Sequence, residues 1–357
     1  MEIPKVPIVQ GLGKRSKRMD QQNGAASETK NVGRNGADED AIIRLVDLRD
    51  YTDGSLQQRK HFVEMVGTSL REIGFFVLQG HGVDKKLIDA AYDICRRFFS
   101  LPNSIKAKYD LPHLHGQRGF TTFGKEHAKD HDAPDLKEFW HVGRGVSEAK
   151  SSGGHALGTK LTDLWPAEVP EFKQVFTELY AKMDECSMLL LAACSEFLAE
   201  NSDFLPQMAR GGESILRVIH YPPLPKGRDP RSVRAAAHED INLITLLPES
   251  TASGLELLNR AGRWQEVRAQ SGHIIVDAGD MLQNLTNGYF RSTTHRVVNP
   301  DDEGSTRFSM PFFVHPRSEV DLAPMKSLSS AGEKYPRISA GEYLHQRLAE
   351  IGLAKKS

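Results

Sequence analysis

The chain has 357 residues, and 46 Lys and Arg against 47 Asp and Glu leave a net charge of -1, with no global field to draw it to nucleic acid or an anionic membrane. Apolar residues make up 39% of it, enough for a substantial core, and no apolar run approaches the roughly 18 residues that a membrane-spanning helix needs. A membrane span, a collagen-like chain and a fully disordered chain are therefore excluded. Three scattered cysteines, Cys95, Cys186 and Cys194, are too few for a disulfide framework or a zinc knuckle. With no signal-peptide pattern at the N-terminus, a reducing cytoplasm is the expected location.

Residues 1–40 carry Gly, Asn, Gln, Ser and mixed charge with hardly any apolar periodicity, and read as a disordered tail. Order is expected from Ala41. Ile42, Ile43, Leu45 and Val46 suit a short strand, and a helix from about Ser55 carries Phe62, Val63, Val66, Leu70 and Ile73 on one face. Gly74 ends it, Phe75 to Leu78 reads as a buried strand, and Gly80-His81-Gly82 makes a turn. Asp84 then caps a helix with Leu87, Ile88, Ala91, Ile94 and Phe98. A long helix is expected from about Pro170 to Ala199. After about Glu213 short apolar runs recur between turn residues such as Pro222-Pro223, Gly254, Gly279 and Asn299-Pro300, the pattern of an antiparallel sandwich or barrel. A helix with Tyr343, Leu344, Leu348 and Ile351 closes the chain. The fold class is an all-β core with helical support (α+β). The division is a tail (1–40), an N-terminal support region (41–205), a catalytic β domain (206–320) and a C-terminal extension (321–357).

The strongest chemical signal is His238-Glu239-Asp240 together with His295. Residues i and i+2 of a strand share a face, so His238 and Asp240 can reach one metal while Glu239 points away, and His295 can join them from another strand. Two imidazoles and one carboxylate on one face of an octahedron form the triad of non-haem Fe(II) oxygenases, with the opposite face open to O2 and substrates. Arg307 and Ser309 share a strand face twelve residues on, and a guanidinium fork with a hydroxyl suits the distal carboxylate of a keto acid. Tyr221 is a further donor on a neighbouring strand. Arg296, next to a ligand, should point away into a salt bridge, and His81 should shape a turn.

These motifs resemble the 2-oxoglutarate/Fe(II)-dependent oxygenase superfamily, in its isopenicillin N synthase-like branch. The likeness runs through Gly74 to Val83, Tyr221-Pro222-Pro223, His238-Glu239-Asp240 leading into Leu243 to Leu247, Gly279-Asp280, Leu285 to Gly288, His295-Arg296-Val297 and Arg307-Phe308-Ser309, covering about residues 42–316. It implies a double-stranded β-helix (jelly roll) with a helical and β region packed against it. It further implies Fe(II) on His238, Asp240 and His295, and 2-oxoglutarate held by Arg307 and Ser309 with Tyr221 assisting. The reaction implied is oxidation of a C–H bond by O2, most simply hydroxylation, with succinate and CO2 released. Plant members often carry Asn two residues before the tyrosine, where this chain has Ile219; isopenicillin N synthase resembles this chain there, so an Fe(II) oxidase without a keto acid is the alternative. The segment from Arg118 to Val142 resembles the family's substrate entrance, which makes Phe120, Phe123 and Trp140 the candidate pocket lining. The polar stretch from Lys125 to Asp135 suits a mobile lid.

Overall fold

The structure is a computed structural model that describes residues 43–114, 116–127, 133–144 and 163–350. The tail expected over 1–40 lies outside the described residues. Local chemistry sets the first elements where the sequence predicts them. Ser55 caps the helix Leu56–Glu72 through a capping box with Gln58. Gly74 turns the chain at φ +83°, where a side chain would collide with the Arg291 carbonyl and the Thr293 hydroxyl. Asp84 caps the helix Lys85–Phe99, and the long helix runs over Phe172–Phe197. No described helix is long and apolar enough to cross a membrane.

The described strands are β1 (Leu45–Asp47), β2 (Phe75–Gln79), β3 (Gly119–Thr121), β4 (Glu138–Val142), β5 (Ile215–Tyr221), β6 (Ala235–His238) and β7 (Ile244–Pro248). They continue as β8 (Leu255–Leu258), β9 (Trp264–Glu266), β10 (Ile274–Ala278), β11 (His295–Val297), β12 (Arg307–Ser309) and β13 (Phe312–Val314). A nine-stranded sheet has the order β1-β2-β10-β7-β13-β5-β4-β3, with β12 also paired to β5, and a four-stranded sheet has the order β6-β11-β8-β9. The segments 41–205 and 206–320 both supply strands to the larger sheet, and the described residues form one compact unit.

The strands of the larger sheet read as continuous apolar runs because both their faces are covered. Phe76 and Leu78 of β2, Trp140 and Val142 of β4, and Leu216 and Val218 of β5 pack outward against helix residues such as Phe98, Met183 and Leu190. Their neighbours one position out of step, Phe75, Phe139, Ile219 and Tyr221, point inward. There they meet Leu255, Leu257 and Val297 of the smaller sheet. The space between the two sheets is where the chemistry-bearing side chains collect. The three cysteines are free and buried, with burial pushing the Cys186 and Cys194 thiols up to about 12, so they pack rather than react.

Candidate metal centre and substrate cavity

His238 ends β6 and lies opposite His295 on β11 in register, which brings the two imidazoles to a centroid separation of 4.5 Å. Each ring is fixed by its own backbone: Nδ1 of His238 lies 2.7 Å from the Ala236 carbonyl, and Nδ1 of His295 lies 3.1 Å from that of Thr293. A proton on Nδ1 satisfies each carbonyl and leaves the Nε2 lone pair free to ligate. The edge of Phe75 packs on His295 at 5.6 Å.

Asp240 does not follow from strand alternation, because β6 stops at His238 and Asp240 sits in the connection to β7. Its position comes from a docked loop. The carbonyls of Asp240, Asn242 and Leu243 accept from the N–H groups of Asp280, Met281 and Gly279, at the start of the helix Asp280–Leu285. Gly279 permits that approach, since a Cβ there would lie 2.1 Å from the Asn242 amide oxygen. Oδ1 of Asp240 then stands 3.7 Å from His238 Nε2 and 3.6 Å from His295 Nε2, while Oδ2 accepts from the Thr245 hydroxyl. Asn242 holds that hydroxyl in turn at 2.8 Å. Three donors within 4.8 Å of one another, two nitrogen and one oxygen, fit a single Fe(II) in the facial arrangement. Burial and then the neighbouring His295 ring hold His238 below the usual imidazole range, which favours the neutral form that binds a metal.

Behind Asp240, Asp277 of β10 faces Thr245 of β7 in register, and burial, then the Asp240 charge, raises its carboxyl well above the ordinary range. Sequence reading missed this residue, since an isolated Asp in an apolar run carries no motif. Arg296 points away from the centre as expected, paired with Glu256 at 2.7 Å and lying 4.0 Å over the Trp264 ring. His81 shapes its turn by accepting from the Val83 N–H. Glu239 lies beside the centre, accepting from the Thr294 hydroxyl and lining the cavity.

Arg307 and Tyr221 face each other across β12 and β5, and Ser309 faces Ile219. The Arg307 guanidinium donates to the Ala252 carbonyl at 3.1 Å, to the Ser309 hydroxyl at 3.2 Å and to the Ser250 hydroxyl at 2.8 Å, with Cζ 5.0 Å over the Tyr221 ring. Arg234, missed at the sequence level, lies 5.9 Å from the same ring and donates to the Ser305 carbonyl. Both arginines are almost fully buried, and among the described residues neither forms an ion pair.

A cavity of about 430 Å³ opens over His238 and Asp240. The aromatic lining expected for it is corrected by the strand register. Phe120 and Trp140 pair across β3 and β4 on the outer face and pack with Phe98 in the main core. Phe123 is half-buried and is not among the cavity's lining residues. The residues one step out of phase take that place. His141 of β4 and Arg217 of β5 line the cavity together with Lys137, Gln117, Glu126 and Asp135. The polar stretch suited to a lid is anchored at both ends. Glu126 and Asp135 are buried, and Lys137 pairs with them at 3.0 and 2.8 Å; residues 128–132 lie outside the described residues. The closing helix, Ala340–Glu350, adds Leu344, Arg347 and Leu348 to the wall.

Residues 43–168 match the family described as non-haem dioxygenase in morphine synthesis N-terminal, and residues 212–316 match the 2OG-Fe(II) oxygenase superfamily. The chain belongs to the 2OG-Fe(II) oxygenase superfamily. It is 30% identical to the 2-oxoglutarate-Fe(II) type oxidoreductase hxnY of Emericella nidulans, over 81% of this chain and 83% of that one. Flavanone 3-dioxygenase 2 of Oryza sativa is 32% identical over 81% and 78% of the two chains. The crystal structure of a 2OG-Fe(II) oxygenase family protein from Caulobacter crescentus overlays with a TM-score of 0.75 at 38% identity, covering 87% of this chain and 99% of that one. As a member of this family the protein is a 2-oxoglutarate-dependent oxidoreductase whose cofactors are Fe(II) and 2-oxoglutarate, in keeping with its His238, Asp240 and His295 triad. The relatives named for 2-oxoglutarate favour the keto-acid-dependent reading over the oxidase.

Proposed function

We propose that the protein hydroxylates an unactivated C–H bond of a small organic molecule, consuming O2 and converting 2-oxoglutarate to succinate and CO2. In this reading His238, Asp240 and His295 hold the iron. Arg307 and Ser309 grip the far carboxylate of 2-oxoglutarate, with Tyr221 walling that end of the inter-sheet space. The observation that carries the co-substrate assignment is the pair of buried guanidinium groups, Arg307 and Arg234, flanking Tyr221 without a carboxylate partner among the described residues. Burying unpaired charge is costly, so a bound anion is the natural complement. The inter-sheet space takes this carboxylate at the Arg307 end, while the cavity over His238 and Asp240 admits the substrate.

Iron held by His238, Asp240 and His295 would supply the activation of O2, with 2-oxoglutarate as the reductant that is oxidised to succinate and CO2. The chain's own share is orientation. Backbone carbonyls fix both imidazoles, Thr245 fixes Asp240, and the apolar side chains of Phe75, Phe139 and Leu257 keep water from the inter-sheet space. The likeness in fold to 2OG oxygenase structures supports a jelly roll formed by the two sheets, with 41–205 as its support region, 206–320 as the catalytic domain and 321–357 as an extension. The buried free thiols support a reducing, cytoplasmic location.

Release of labelled CO2 from 1-carbon-labelled 2-oxoglutarate tests the reaction. Iron-dependent release by the wild-type protein, lost in Asp240→Ala, is expected. Release that is indifferent to iron or to Asp240 would contradict the proposal.

A further inference from the structure

The cavity over the metal centre is unlike the apolar pockets that most small ligands occupy. Its wall nearest the iron ligands carries a buried charge network. Lys137 joins Glu126 and Asp135, and Arg217 donates Nη1 to both oxygens of Glu126 at 3.1 and 3.2 Å. Arg217 also donates Nε to His141 Nε2 at 2.6 Å, and its guanidinium stacks over Phe139 at 4.4 Å and Phe313 at 5.3 Å. Burial, then the Arg217 charge, hold His141 well below the usual imidazole range, so its Nε2 stays an acceptor for Arg217.

The guanidinium is thus fixed in position by two polar partners and two aromatic faces. Its remaining terminal nitrogen, Nη2, makes no hydrogen bond among the described residues while the residue lines the cavity. Among the described residues the Gln117 side-chain amide, on the same wall, likewise makes no hydrogen bond. Both oxygens of Glu126 are engaged by Arg217 and Lys137, so the network offers an arriving ligand a donor and no free carboxylate. An apolar group placed against Arg217 would bury that donor unsatisfied, and a cationic group placed there would face Arg217 and Lys137, whose own carboxylate partners are engaged; Glu239 and Asp280 also line the cavity, so the preference concerns the group that meets Arg217.

We infer that Arg217 is the specificity-determining residue of this site, and that the substrate is a small molecule presenting a carbonyl or carboxylate oxygen to its Nη2. The inference rests on the oxygenase reading for the location of the substrate, and the donor geometry is a property of the chain alone. A rigid guanidinium with one open nitrogen, Nη2, suits a single acceptor group. The Nε and Nη1 edges are already occupied, so a bidentate grip on a carboxylate is not available. Holding the substrate by that oxygen fixes which carbon faces the metal centre, as regioselective oxidation requires.

Four probes of similar size, benzoate, benzamide, toluene and benzylamine, separate the possibilities by equilibrium binding to the anaerobic protein, first without and then with Fe(II) and 2-oxoglutarate. Benzoate or benzamide is expected to bind at least about tenfold more tightly than toluene and benzylamine, a difference of about 1.4 kcal/mol. The stronger of the two identifies carboxylate or carbonyl as the preferred acceptor. Arg217→Met should erase the preference, and Arg217→Lys, which keeps the charge without the fixed fork, should retain part of it. Thermal melting reports whether each variant is folded, and Lys137 remains to pair Glu126 in both. Equal or tighter binding of toluene or benzylamine, no tenfold preference in the wild-type protein, or a preference that survives in folded Arg217→Met overturns the inference. Failure of 2-oxoglutarate to bind the iron-loaded protein would instead count against the oxygenase reading, and is scored separately from the probe preference.

Discussion

The two faces of the larger sheet are built from the same strands and do opposite work. On the outer face Trp140, Val142, Leu216 and Val218 meet the helices in a dry apolar layer. On the inner face, one residue out of step, His141 and Arg217 line a polar cavity, and Tyr221 meets Arg307. A one-position change along β4 therefore exchanges packing for chemistry, which is the period-two rule of a strand acting on function.

Substitutions on the two faces should separate cleanly. The largest effect is expected from His295→Ala, which should abolish iron binding and 2-oxoglutarate turnover while leaving the fold intact, read by metal analysis and circular dichroism. Trp140→Ala, on the outer face, should cost about 3–5 kcal/mol of stability in denaturant unfolding. The folded fraction should still bind iron, because Trp140 packs on Phe98 and Phe172 rather than on the cavity. If Trp140→Ala instead altered substrate affinity with little loss of stability, the assignment of faces would be wrong.

Arg307→Met should raise the KM for 2-oxoglutarate at least about thirtyfold, the effect of removing about 2 kcal/mol or more of buried charge pairing, with melting temperature little changed. Thr245→Val removes the hydroxyl that orients Asp240 and should weaken iron binding about 10- to 100-fold, measured by competition with a chelator.

The smallest effect is a pH dependence. Burial opposes ionisation of Glu126, yet Arg217 and Lys137 outweigh it and hold its carboxyl well below the usual range around 4.5. A depressed folded-state value contributes stability that is present above about pH 4.5 and is lost as the pH falls through the folded value. The melting temperature of the wild-type protein should therefore drop on acidification below about pH 4.5. In Glu126→Gln it should start lower at neutral pH and fall less steeply.

Much of this was legible in the sequence. Apolar runs, Asp84 as a cap, and Gly74 located the elements, since each acts through local chemistry. The triad was legible because two of its members lie within three residues and the third sits in an identifiable strand run. The cavity lining was not. Phe120 and Trp140 were assigned by aromatic character, whereas register decides which way a side chain points, and one step puts Trp140 outside and His141 inside. Glu126 and Asp135 lie in the polar stretch that suits a lid, and only folding against Lys137 and Arg217 makes them a buried network. Arg234 and Asp277 carry no motif, and their partners are distant in the chain.

The central claim is that His238, Asp240 and His295 would hold one Fe(II) and that Arg307 anchors the 2-oxoglutarate that binds it. Anaerobic titration of the iron-loaded protein with 2-oxoglutarate, followed by visible absorbance, tests it most directly. The account predicts a weak charge-transfer band saturating at one 2-oxoglutarate per chain, absent in His238→Ala and requiring much higher 2-oxoglutarate in Arg307→Met. Iron binding without a band, or a band that forms equally well in His238→Ala, would contradict it.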